Sequence, residues 1–218
     1  MKNFDPSRAL DDDVAGCAAA HQRLLACLDA ALDAGDVDPG RPSRLPGWTV
    51  GHLLTHLARN ADAFRGMIDG AAVGETRLMY PSADDRDTRI NEGAARNLAD
   101  LVTDVRKSVW ALESSWAQLD ADGWNGAGLT RLGSTPVASF PWRRWHEVEV
   151  HHADLGLAFT EKDWSAAFVA NDLARQLAEY ASDGNAVPAE VTAAAPWQQL
   201  AWLIGRHSGL QVPPPAWG

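Results

Sequence analysis

The residues of this sequence best suited to chemistry are histidines and carboxylates set at helical spacing. In the segment RRWHEVEVHHADLG, Glu147, His151 and Asp154 recur at i, i+4 and i+7, which puts them on one stripe of a helix. Trp145, Val148, His152 and Leu155 make a second, apolar stripe about 120° away. A carboxylate and an imidazole one turn apart can ligate a single divalent metal. The same E-x-x-x-H pair is also the pattern of an exposed charge pair. His152, on the apolar stripe, reads as a core histidine. A second segment, GWTVGHLLTHLARNADAF, places His52 in the first turn of another helix and His56 one turn later. The apolar face of that helix centres on Leu53, Leu57, Phe64 and Ile68, so His52 lies well off it and His56 is intermediate. A helix N-terminus disfavours a cation, and neutral imidazole is the form a metal binds. His52, Glu147 and His151 therefore make a His2Glu set drawn from two helices. Three protein ligands leave a coordination position open, the arrangement of catalytic rather than structural zinc. The bland alternative, one packed and one exposed histidine, falls only if the two helices are neighbours.

Other chemistries are poorly served. There is no P-loop, no G-x-G-x-x-G, no G-x-S-x-G elbow and no H-E-x-x-H. Ser114, Ser115 and Ser208 have no arrangement that would make a nucleophile. Cys17 and Cys27, the only two cysteines, lie too far apart on one helical segment to bridge and lack a C-x-x-C neighbour. Both read as small buried hydrophobes. A net charge of −10 over 218 residues argues against nucleic acid and against an anionic membrane surface as partners. No apolar run approaches the length of a membrane span. The opening MKNFDPSRALDDD has no apolar leader, so a cytoplasmic protein, monomer or homodimer, is expected.

The elements that must position these residues are mostly helical. An Ala- and Leu-rich helix is predicted over 6–34, ended by Gly35 and the turn-like DPGRPSRLPG. A second starts after Thr49 as N-cap and runs to Gly70. A long helix is predicted over 84–119 and a fourth over 140–157, with an irregular glycine-bearing stretch over 120–136 between them. Four such segments make a mainly α chain, an up-and-down four-helix bundle over 1–157. The remaining 158–218 reads as a short segment packing on the bundle: a helix over 164–181, a possible strand at 190–194, and a last helix over 197–206 before PPPAWG. The ten tryptophans read as bulky core filler, with Trp48, Trp142 and Trp145 flanking the proposed ligands and able to wall a pocket.

Four of these segments carry a resemblance. GWTVGHLLTHLARNADAF, MYPSADDRDTRINEGAARNLADLVTDV, RRWHEVEVHHADLG and WLIGRHSG with PPPAW resemble, in order and over nearly the whole chain, the mycothiol-dependent maleylpyruvate isomerases, a branch of the DinB-like bundle superfamily. The resemblance implies a divalent metal, usually zinc, held by His52, Glu147 and His151. It also implies an arginine near the C-terminal GR motif, Arg206, for substrate, with Arg86 in the MYPSADDR loop a second candidate. Relatives commonly carry a larger C-terminal α+β part, so a shortened tail is expected here.

The implied activity is metal-dependent and uses mycothiol as the thiol cosubstrate, so no protein nucleophile is required. Thiolate addition to the cis double bond of maleylpyruvate, rotation and elimination would give fumarylpyruvate. Arginines would hold the carboxylates in bidentate pairs, and Asp154 would orient His151. Two other readings stand beside it: a mycothiol S-transferase acting on another electrophile, and a metal-binding protein of this fold without turnover.

Overall fold

The computed structural model describes residues 6–215; residues 1–5 and the end of the PPPAWG segment lie outside the described residues. The chain divides into two compact units, Met1–Gly156 and Leu157–Gly218. In the first unit helices α1 (Pro6–Ala34), α2 (Val50–Ala71), α3 (Ala83–Ala94), α4 (Leu98–Ala117), a single turn α5 (Ala121–Trp124) and α6 (Phe140–Asp154) surround a hairpin of β1 (Ala127–Thr130) and β2 (Gly133–Pro136) in sequence. α2 packs along α4 and α6, and α1 packs along the same two helices, so four helices close a ring around one core. That core is Leu24, Leu28, Leu53, Leu57, Leu101, Val105, Leu112 and Val148, all fully buried. Burial of such side chains is worth about 1.5–3 kcal/mol each before chain entropy is counted. No helix among the described residues is long and apolar enough to cross a membrane.

Three expectations for the elements are corrected. The helix predicted over 84–119 is two helices, broken at residues 95–97. The Asn97 side chain accepts from the Asp100 N–H at 2.9 Å and so caps a new helix, a local competition that apolar periodicity does not register. The stretch over 120–136 holds the hairpin, in antiparallel register from Ala127 opposite Pro136 to Thr130 opposite Gly133. Its two-residue loop needs Gly133 at φ +90°, a conformation closed to most side chains. In the second unit, Ala189–Thr192 is a helical turn, α8, rather than a strand. It lies between α7 (Ala166–Ser182) and α9 (Pro196–Leu203), which pack together. That unit has its own core of Val191, Trp202 and Leu203, with Leu173, Leu177 and Tyr180 against it.

The loop between α1 and α2 fixes the two helices that carry the histidines. Arg44 N–H donates to the Asp154 carbonyl at 2.8 Å, and Arg41 Nη2 donates to the Gly156 carbonyl at 2.7 Å, satisfying the C-terminal carbonyls of α6. The same loop receives Gly51 N–H on the Pro39 carbonyl at 2.8 Å. Gly51 has no side chain because a Cβ there would sit 2.1 Å from the Ala94 carbonyl oxygen. The start of α2 is thereby held beside the end of α6 and against the end of α3.

Beneath the bundle surface lies a polar cluster. Arg144 is fully buried and donates from Nε to His21 Nε2 at 3.1 Å, and from Nη1 to the Leu57 carbonyl at 2.9 Å and Asn60 Oδ1 at 2.8 Å. His21 Nδ1 donates in turn to Glu113 Oε1 at 2.8 Å. Burial, the largest influence, lowers the His21 pKa to about 4 against the Glu113 hydrogen bond. The native state thus refuses a proton that the unfolded chain takes up near pH 6.5. Stability at neutral pH is expected to fall as the pH drops from about 6.5 to 4, by on the order of 3 kcal/mol from this group. Urea unfolding across that range should show the slope, and His21→Gln, which can keep both hydrogen bonds without titrating, should flatten it by about one proton. An equal slope in both proteins would refute the assignment.

Candidate metal centre

α2 begins at a Thr49 cap. The Thr49 hydroxyl accepts from the His52 N–H at 3.3 Å, and His52 Nδ1 accepts from the Thr49 N–H at 3.2 Å. The His52 ring is therefore folded back onto the cap, its Nδ1 also 2.7 Å from Thr49 Oγ1. One turn further on, His56 is only 4% exposed and faces α6. Its Nε2 lies 2.9 Å from Glu147 Oε2, and its ring stands edge-on to that of His151 with centroids 4.9 Å apart. His151 Nε2 is 3.6 Å from the same Glu147 oxygen.

His56, Glu147 and His151 thus bring one ligand atom each to within 4.8 Å of one another. Of the three residues expected to ligate, Glu147 and His151 are brought together; His52 is occupied by its own cap, and the histidine that joins them is His56. The sequence signal is intelligible here: H-x-x-x-H offers two candidates, and His56 lies nearer the apolar face of α2 because that side of the helix packs on α6.

The surroundings prepare the donors. Buried Asp154 Oδ2 lies 2.9 Å from His151 Nδ1, so the ring proton sits on Nδ1 and the Nε2 lone pair faces Glu147. Burial works to raise the Glu147 pKa, but the His56 hydrogen bond and the charges of His56, His151 and His146 outweigh it and hold the carboxyl well below the usual range. Burial pushes the His56 imidazole down, with Glu147 opposing, so it is biased to the neutral form. Trp48 stacks edge-on to His56 at 5.5 Å and has the Arg86 guanidinium 5.8 Å from its ring centroid.

His56 and Glu147 border a cavity of about 690 Å³, lined also by Asn60, Tyr80, Arg86 and Arg143 together with apolar Phe64, Leu78, Leu129 and Leu132. Arg86, the second arginine candidate, lines this cavity: its Nη2 lies 3.5 Å from His56 Nδ1 and its Nη1 pairs with Asp87 at 2.6 Å. The segment before it is pinned by Met79 N–H on the Leu129 carbonyl at 2.8 Å, so the hairpin positions Tyr80 and Arg86. Burial raises the Tyr80 phenol to about 12, which keeps it a neutral donor. Arg206 belongs to the second unit, where its Nη1 donates to the Ile204 carbonyl at 3.1 Å. Sequence reasoning missed Asn60 and Tyr80; Asn60 repeats the four-residue spacing of His52 and His56, which was the available signal.

A mainly α, DinB-like bundle with two histidines and a glutamate facing one another between its helices is the class of protein that this fold and site define. The profile of the mycothiol maleylpyruvate isomerase N-terminal domain matches residues 17–156, and the chain belongs to that enzyme family. Among solved structures, a mycothiol-dependent maleylpyruvate isomerase is similar at 25% identity and a TM-score of 0.82, over 95% of this chain and 97% of that one. A histidine-to-alanine variant of such an isomerase matches at 24% identity with a TM-score of 0.82, over 95% of this chain and 96% of that one. No curated protein sequence matches the chain significantly.

Proposed function

We propose that the chain is a divalent-metal-dependent enzyme that uses mycothiol to isomerise maleylpyruvate to fumarylpyruvate. The observation that carries this reading is the His56, Glu147 and His151 cluster at the edge of a cavity large enough for a small-molecule substrate. The donor set fits zinc: two imidazoles and a carboxylate are its ordinary ligands, and three of them leave a position free. The Asp154 contact to His151 is the support such a ligand normally has. A metal held there would supply Lewis acidity, lowering the pKa of a thiol so that thiolate exists near neutral pH.

The remaining work falls to the chain. Arg86, beside Trp48 and His56, would take a substrate carboxylate through paired N–H donors. Tyr80 remains a neutral hydrogen-bond donor across the working pH range. Leu78, Leu129 and Leu132 supply the apolar lip that limits water. With the substrate so held, thiol addition across the cis double bond leaves a single bond free to turn, and elimination restores the double bond in the trans form. Arg206, the arginine implied by the resemblance, is proposed as a second carboxylate partner.

The test is metal analysis of protein purified without chelator, followed by assay of maleylpyruvate loss with and without mycothiol. About one equivalent of metal and thiol-dependent turnover are expected. Absence of metal after reconstitution with zinc, or turnover indifferent to the thiol, would overturn the reading.

A further inference from the structure

Asn60 is buried, only 2% exposed, yet its side chain lines the cavity. Polar groups in such positions need a partner, and one half of the amide has it: Oδ1 accepts from Arg144 Nη1 at 2.8 Å. Arginine has donors only, so the amide oxygen must be the atom turned to Arg144. The Nδ2 group is then left for the cavity, and the side chain makes no other hydrogen bond among the described residues. Arg144 itself cannot swing away, being fully buried and tied to His21 and the Leu57 carbonyl. It forms no salt bridge among the described residues, so its charge polarises the amide it holds and strengthens the outward N–H donors.

We infer that Asn60, oriented by Arg144, is a further oxygen-binding residue of the cavity, donating to a carboxylate or conjugated carbonyl oxygen of the electrophilic substrate. This rests on the reading of the cavity as the substrate site. The position suits that role. Asn60 is four residues beyond His56, about 6 Å along α2, the reach from an attacked carbon at the metal end to an oxygen a few bonds away. A fixed donor aimed at an oxygen that gains charge during thiol addition is the kind of preorganised group that lowers such barriers.

The experiment compares the full chain with Asn60→Asp and Asn60→Ser, titrating maleate by calorimetry and following thermal unfolding. Aspartate keeps an acceptor for Arg144 but replaces the outward donor with an oxygen; serine keeps a short acceptor and adds no charge. Wild type is expected to bind maleate saturably, and both variants at least about tenfold more weakly, as loss of a hydrogen bond to a charged group implies, with the aspartate variant unfolding no earlier than wild type. Equal affinity in wild type and variants, or no maleate binding by wild type, would overturn the inference. If the aspartate variant fails to fold, the serine variant decides. Maleate binding that is lost in the variants, in a protein without mycothiol-dependent turnover, would keep the assignment of Asn60 and discard the proposed reaction instead.

Discussion

Replacing His56 with alanine is expected to strip the protein of its divalent metal, whereas His52→Ala should retain about one equivalent. The two histidines are one turn apart on α2, and the sequence pattern alone favours His52. Their environments differ. His52 Nδ1 receives the Thr49 N–H, so its ring belongs to the helix cap, and its loss should cost about 0.5–1 kcal/mol of stability. His56 Nε2 faces the Glu147 carboxylate across the helix interface, and its loss removes one of three ligands. Lewis-acid stabilisation is worth several kcal/mol, and each 1.36 kcal/mol is a factor of ten in rate. Mycothiol-dependent activity of His56→Ala should therefore fall on the order of 10³-fold or more. Elemental analysis alongside the rate assay separates the outcomes: metal retained in His56→Ala and lost in His52→Ala would sink the site as drawn.

The largest stability effect is expected at Arg144. Its guanidinium is buried with no exposed edge and serves three acceptors on two neighbouring helices: His21, the Leu57 carbonyl and Asn60. Arg144→Ala would leave the His21 and Asn60 acceptors buried without a donor, each costing about 1–3 kcal/mol, and would open a cavity besides. A combined loss of about 3–5 kcal/mol follows, equivalent to roughly 10 °C in Tm for a chain of this size. Thermal unfolding measured at pH 7 checks it. A shift below about 2 °C would mean that water or rearranged neighbours satisfy the acceptors, and that the cluster is not what ties α6 to α1 and α2.

The extent to which these features are legible in the sequence differs by their physical origin. The bundle helices were legible because burial of an apolar stripe imposes a 3.6-residue period that survives in the order of residues, as along Leu53, Leu57 and Phe64. The break at residues 95–97 was not, since one Asn97 side chain bonding the Asp100 N–H leaves no periodic trace. The hairpin over 127–136 was hidden for a related reason: strands of four residues are too short for alternation to stand out.

The sequence by itself determined the chemistry available to this protein. It supplied imidazoles and a carboxylate at one-turn spacing on two helices, no built-in nucleophile, and ordered motifs that resemble one enzyme family. Only the tertiary structure decided which of those groups meet. Glu147 and His151 share a face through local helix geometry, and any folded copy of that helix keeps them together. The partner from α2 depends on where one helix surface is pressed against another and on where each ring is drawn. The Thr49 cap takes His52, while packing of α2 on α6 buries His56 against Glu147. Spacing along the chain carries no information about which of two adjacent turns faces a helix some ninety residues away, because that choice is made by packing and by competition for hydrogen bonds.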